Sequence, residues 1–368
     1  MMKVKNLSLK NFRNYHSLDL AFNKNINLII GNNAQGKTSL VEALYAMSTT
    51  KSHRTSKDVQ MIQFEQDFFR IQAEIQTDET FKVALSISRE GKKATLNDVA
   101  KKKLTDYIGT LKVVFFAPED LELIKGAPNV RRRFLNMEIG QIDRLYLHHL
   151  NQYSKIIKQR NELLKKFTES DESNLMLEVL TKQLLPHVAY IVNKRVWFLK
   201  ELVVHAKQMH AKITDQLEDI SFGYLNTMKL EVVSDAAILD KYEGTYETDK
   251  RLRTTTLGPH RDDFMIFIND VNAHHFASQG QQRTSVLAIK LAQTQVIKEV
   301  AGVYPILLLD DVLSELDDSR QTKLLDVVGD KIQTFITTTS VDGIDDKIID
   351  LADIFRVNGA TVEVETGD

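Results

Sequence analysis

The stretch Gly31-Asn32-Asn33-Ala34-Gln35-Gly36-Lys37-Thr38, followed by Ser39, fits the spacing G-x-x-x-x-G-K-[ST]. A strand-like run, Ile26-Asn27-Leu28-Ile29-Ile30, leads into it, and apolar residues at helical spacing (Leu40, Val41, Leu44, Met47) lead out. Strand before and helix after is the context in which this spacing cradles phosphate. The two glycines let the backbone curl so that its N–H groups converge on phosphate oxygens, and the helix N-terminus adds partial positive charge. Residues Gly31 to Ser39 are therefore the candidate nucleotide-binding set. Lys37 is expected to reach the β- and γ-phosphates and assist catalysis, and Thr38 to ligate Mg²⁺.

The matching half of a triphosphatase signature stands far downstream. Pro305-Ile306-Leu307-Leu308-Leu309-Asp310-Asp311 is an apolar strand ending in two acids. Asp310 is expected in the Mg²⁺ shell and Asp311 beside the attacking water. Leu313-Ser314-Glu315-Leu316-Asp317 then matches the short acidic loop that follows this strand in ABC-type ATPases. A later strand ends in Thr337, Thr338 and Thr339, hydroxyls suited to face a γ-phosphate. Between the two halves, Ser278-Gln279-Gly280-Gln281 opens a helix with an S-x-x-Q capping box. Its N-terminus is a second anion site, and Gly280 permits close backbone approach. One nucleotide does not need two phosphate sites on one chain. Two chains placed head to tail would each complete the other's pocket, which predicts an ATP-dependent homodimer with Ser278–Gln281 acting in trans.

Composition sets outer limits. The chain has 368 residues, 43% hydrophobic and 27% charged, ordinary values for a globular protein. It has no cysteine, which excludes disulfides and thiolate metal sites. The N-terminus opens as an alternating strand instead of an apolar signal core, and no apolar run approaches the ~20 residues of a membrane helix. A cytoplasmic protein without a membrane partner is expected. Net charge is −2, so any nucleic-acid surface must be a local patch.

The chain begins with strand alternation around Phe12-Arg13-Asn14-Tyr15, where Arg13 is either a nucleotide contact or a solvated turn residue. From Leu121 the period becomes helical, and strand periodicity returns near Lys229–Val233. The predicted fold is an α/β ABC-type P-loop head formed by residues 1–120 and 226–368, with a helical lobe at 121–225 and no long coiled coil. Leu257-Gly258-Pro259-His260-Arg261-Asp262-Asp263 reads as a charged turn, with His260 and Arg261 as interface candidates.

These segments together resemble the RecF family of bacterial recombination and gap-repair ATPases over essentially the whole chain. Carrying the resemblance are Leu9–Tyr15, Gly31–Thr38, Phe116–Leu121, Arg131–Leu135, Leu257–Asp263, Ser278–Arg283 and Leu308–Asp317. The resemblance implies an SMC-like head that dimerises on ATP and binds double-stranded DNA, with single-strand/double-strand junctions one candidate form. It also implies partnership with RecR and RecO in placing RecA at gaps, and slow hydrolysis. Transporter ATPases, the alternative class, usually carry a two-glycine signature, a histidine after the last strand and a glutamate second in the acidic pair. Here Gln281, a threonine run and Asp311 occupy those places, and Glu119 is the nearest polar residue at the entry to the lobe. A GTPase is disfavoured because no Asn-Lys-x-Asp run is present.

Candidate DNA contacts are basic clusters. Lys155, Lys158, Arg160 and Lys165 lie in one helical run, and Arg131 and Arg132 in another. Contacts of this kind reach phosphates without reading bases, so binding should be steeply salt-dependent.

Overall fold

The computed structural model describes residues 1–215, 217–230, 233–313, 316–342 and 344–365. They form two units: residues 1–120, 208–218 and 283–368 in one, and residues 121–207 and 219–282 in the other.

The first unit is built on a sheet whose strand order is Thr361–Glu365, Ala352–Asn358, Ile26–Ile30, Thr334–Thr338, Ile306–Asp310, Val113–Phe116. All pairings but the first are parallel. Fully buried runs rich in apolar and β-branched residues explain this. Ile26–Ile30, Ile306–Asp310, Thr334–Thr338 and Val113–Phe116 are buried at every position, as strands covered on both faces must be. A second, antiparallel sheet runs Tyr15–Ala21, Lys3–Phe12, Phe68–Gln76, Thr80–Ser88, Gly91–Leu96, Val99–Ala100. Alternation in Phe68–Gln76 buries Phe69, Ile71, Ala73 and Ile75 on one face. The helix Lys37–Thr49 touches strands of both sheets and is buried at every position except Thr38. Register places Asp310 beside Thr337, and Thr337 beside Ile29, at the carboxyl ends of the parallel strands. Open α/β sheets bind their ligands at that edge.

The second unit packs the helices Pro128–Ile142 and Arg144–Lys165 with most of Asp171–Ile213 and a three-stranded sheet ordered Val271–Asn272, Asp263–Ile268, Ile220–Leu225. Residues 226–282 were expected in the head but group with the helices. Buried polar links explain the difference. Arg160 Nη1 lies 2.7 Å from Asp249 Oδ2 with both side chains fully buried, and Arg195 Nη1 donates to Pro259 O at 2.7 Å. The strand expected near Lys229–Val233 is instead Ile220–Leu225, and residues 231–232 lie outside the described set.

Against the expectation that no stretch reaches membrane length, Asp171–Ile213 is long and apolar enough to cross a membrane by length and composition alone. Its apolar stripe, including Leu177, Leu184, Val188 and Ile191, is buried within the protein, a property core helices share.

Candidate nucleotide site

Gly36 precedes the helix Lys37–Thr49 with φ 120°, and no side chain caps that helix. Ser39 N already donates to Gly36 O at 3.0 Å, and no side chain competes with an anion for the N–H groups before it. A Cβ on Gly36 would stand 2.7 Å from Tyr15 Oη and 2.8 Å from Asn14 Nδ2, so both backbone angle and space require glycine here. Gln35 anchors the loop from behind: its Oε1 accepts from Gly359 N at 2.6 Å and its carbonyl from Ala360 N at 3.1 Å. Lys37 folds onto the loop, donating to Gly31 O at 2.5 Å and Asn32 O at 3.0 Å. Burial pulls its ammonium pKa down, and the carboxylates of Asp311 and Asp310 oppose that shift.

Four oxygen and nitrogen atoms meet at the sheet edge. Thr38 Oγ1 donates to Asp310 Oδ1 at 3.1 Å, Thr337 Oγ1 donates to the same oxygen at 2.6 Å, and Asp311 N donates to Thr337 Oγ1 at 2.9 Å. Asp311 takes φ 54°, a left-handed angle uncommon for a residue with a side chain. Burial raises the Asp310 pKa. The two threonine hydroxyls counter this, while the like charges of Glu119 and Asp311 push it further up. Excess buried negative charge beside hard hydroxyl and carboxylate oxygens fits a divalent cation such as Mg²⁺. Thr38 and Asp310 are the residues that would hold it, with most of its remaining ligands coming from phosphate and water. No group of three or more His, Asp or Glu side chains arranged for a metal occurs among the described residues.

Asn33, Ala34, Gly36, Lys37, Thr38, Ser39, Asp311, Thr337 and Arg13 line one cleft of about 770 Å³. That lies in the range of small-molecule sites. Of the three threonines, Thr337 lines the cleft. Thr338 is turned to Ser340 O at 3.0 Å and Thr339 is exposed beyond the strand. Gln35 faces the 359–360 turn, and Asn32 is exposed outside the lining. Arg13 is held in the wall by buried Glu42, Nε to Oε2 at 2.8 Å and Nη2 to Oε1 at 2.5 Å, and it donates to Gln60 O at 2.7 Å. The rim adds residues not singled out from the sequence: Asn14, Arg54, Gln60, Ile62, Gln63 and Phe64. Asn14 follows Arg13 in the N-terminal turn, and Arg54 lies in the polar basic stretch Lys51-Ser52-His53-Arg54-Thr55-Ser56.

Ser278 and Gln281 form the expected reciprocal cap. Gln281 N donates to Ser278 Oγ at 3.2 Å, and Ser278 N to Gln281 Oε1 at 2.8 Å, at the start of the helix Gln279–Ala301. Ser278 and Gln279 are exposed, and a Cβ on Gly280 would meet nothing within 4 Å. Residues 314 and 315 of the acidic loop lie outside the described residues.

Two expected DNA contacts are corrected. Arg160 is fully buried, bound to Asp249 and Thr255 Oγ1. Arg131 is 8% exposed, with Nε and Nη2 on Asp263 at 2.7 and 2.8 Å and Nη1 on Gly126 O. Both guanidiniums are spent on internal partners. Arg132 is half-buried and donates to Asp262 O at 2.8 Å, while Lys155, Lys158 and Lys165 are exposed on one helix, the last paired with Glu162.

The Leu257–Asp263 turn also proves internal. His260 Nε2 sits 3.2 Å from Thr255 O, which can only accept, so Nε2 carries the proton and Nδ1 accepts from Tyr153 Oη at 2.5 Å. Burial lowers the His260 pKa to about 4. Arg261 alone in this charged turn is exposed.

Comparison with known proteins agrees with this geometry. Residues 3–361 match the family described as the RecF/RecN/SMC N terminal domain. The chain is 46% identical to the DNA replication and repair protein RecF of Exiguobacterium sp., over 99% of this chain and 100% of that one. A solved structure of the recombination mediator protein RecF with ATP superposes with TM-score 0.90 at 32% identity, covering 99% of this chain and 98% of that chain. The Smc head domain of Pyrococcus furiosus, at TM-score 0.56 and 15% identity, shares the fold.

Proposed function

Because the chain belongs to the RecF family of DNA replication and repair proteins, within the RecF/RecN/SMC group of ABC-type ATPases, we propose that it is an ATP-gated clamp on double-stranded DNA. The observation that carries this reading is the convergence of Lys37, Thr38, Asp310, Asp311 and Thr337 at one strand edge. The ATP-bound relative supports ATP as the ligand.

On this reading the N–H groups of residues 33–38 wrap the phosphates, and Lys37 leaves the carbonyls of Gly31 and Asn32 for the β- and γ-phosphates. Thr38 and Asp310 would hold Mg²⁺, which when bound would neutralise phosphate charge. Asp311 accepts a hydrogen bond from the attacking water and orients it in line. Its side chain is shorter than a glutamate's and holds water less firmly, in keeping with slow turnover. The Ser278 helix of a second copy closes on the γ-phosphate, so the dimer lasts only while that phosphate does. Lys155, Lys158 and Lys165, doubled by dimerisation, meet duplex phosphates. The protein acts in the cytoplasm with RecO and RecR to help load RecA at gaps, and hydrolysis releases the clamp.

The test is binding of labelled duplex DNA with and without ATP for wild type, Lys37→Ala and Asp311→Asn, with sedimentation of the same samples. ATP should drive dimerisation and DNA binding together, Asp311→Asn should prolong both, and Lys37→Ala should abolish both. DNA binding that ignores nucleotide, or a monomer with ATP bound, overturns the gate.

A further inference from the structure

Phe64 is 86% exposed, the most exposed of the large hydrophobic side chains among the described residues. A lone exposed apolar residue is ordinary on most surfaces. This one lines the cleft that holds Lys37 and Thr38. Except for Phe64, Ile62, Ala34 and Gly36, every lining side chain among the described residues is polar or charged, so among them Phe64 offers the one aromatic face.

The loop that carries Phe64 is tied down on both sides. Ile62 bridges to Phe12, and Gln63 N donates to Asn11 O at 2.9 Å. The Gln63 side chain lies 3.3 Å from His16 Nδ1 and donates to Asn14 O at 3.4 Å. Gln66 N closes a turn onto Gln63 O at 3.1 Å, with Glu65 at φ 63° as its third residue. Phe64 is therefore the second residue of a closed turn, and the backbone sets where it stands. A backbone fixed before the partner arrives leaves only the ring's own rotation to be lost on binding. Its π-face suits a heteroaromatic base, which is what the non-phosphate end of a nucleotide offers.

We propose that Phe64 is the face on which the base of the bound nucleotide stacks. The inference rests on the nucleotide reading of this cleft and deepens it: phosphates are held by the loop and helix end, the base by Phe64. Stacking tolerates any purine, so Phe64 strengthens ATP and GTP alike and does not itself select adenine.

The experiment is calorimetric titration of the full-length protein with ATPγS, GTPγS and inorganic tripolyphosphate, for wild type, Phe64→Ala and Phe64→Trp. Phe64→Ala should weaken both nucleotides about ten-fold and leave tripolyphosphate unchanged. Phe64→Trp should retain affinity, and its added fluorescence should be quenched by nucleotide against the background of Trp197. Equal weakening of nucleotide and tripolyphosphate would mean that Phe64 only supports the loop, and no weakening at all would mean that the base lies elsewhere. Either overturns the inference while the nucleotide site stands. Failure of the wild type to bind ATPγS overturns both.

Discussion

Thr337 donates its hydroxyl proton to Asp310 at 2.6 Å while accepting the backbone N–H of Asp311 at 2.9 Å. One hydroxyl thereby couples the residue placed to hold a cation to the residue placed to hold water. Thr337→Val keeps the shape and deletes both bonds, leaving Asp310 with one donor fewer and the Asp311 N–H without that acceptor. ATP turnover should fall on the order of ten-fold, with a stability loss of about 1–3 kcal/mol. Thr337→Ser should restore both. Turnover assays and urea unfolding of the two variants check this.

Arg160 and Lys158 stand two residues apart on one helix and should behave oppositely. Arg160→Ala strands the buried carboxylate of Asp249 and should cost about 3–5 kcal/mol in denaturant unfolding. Lys158→Ala should change stability by no more than about 0.5 kcal/mol. An Arg160→Ala protein as stable as wild type would refute the buried pair.

Lys155 and Lys158 should act through salt. If each meets one phosphate, Lys155→Ala with Lys158→Ala should flatten the plot of log affinity against log salt by about 0.9 for each phosphate left unpaired. Affinity should drop by a similar factor for unrelated duplex sequences. An unchanged slope would move the DNA surface off this helix.

His260 should make stability depend on pH. Its folded pKa, about 4, lies below its ordinary value of 6.5. Between those values the unfolded chain binds the proton more readily, so stability is full above about pH 6.5 and falls as pH drops toward 4. Burial also lowers His149 and His187, which lie 2.9 Å apart through their Nδ1 atoms and should add to the same trend. Unfolding midpoints of wild type and His260→Asn across pH 4 to 7 test it: the variant should show the shallower decline.

How much of this is legible in the sequence follows from how far apart the cooperating residues lie. The phosphate loop is contiguous, so its glycines, lysine and threonine announce themselves. Asp310 ends an apolar strand and Thr337 stands one residue before the end of a buried one, which marks them as an edge. Arg160 passes for a DNA contact when a basic run is read for charge and not for phase. It continues the buried stripe of Tyr153, Ile156, Ile157 and Leu164, as Arg131 continues that of Phe134, Leu135 and Glu138. Helical phase points both inward. The boundary near 225 fails for another reason: residues 235–263 join the helices through ion pairs between distant positions, which no local pattern encodes. Phe64 stands in a short irregular loop with no period to read.

Ile26–Ile30 lies between Thr334–Thr338 and Ala352–Asn358, neighbours made more than three hundred residues later. During synthesis the phosphate loop therefore emerges on a strand whose two flanks do not yet exist, while residues 121–282 can finish folding behind it. Loop closure over such separations is slow, and an unflanked apolar strand invites mispairing. The nucleotide cleft is thus among the last parts of the chain to mature. Nascent chains stalled before Thr334 should carry an intact Lys37 and no competent pocket, so ATP cannot engage until translation has passed that strand.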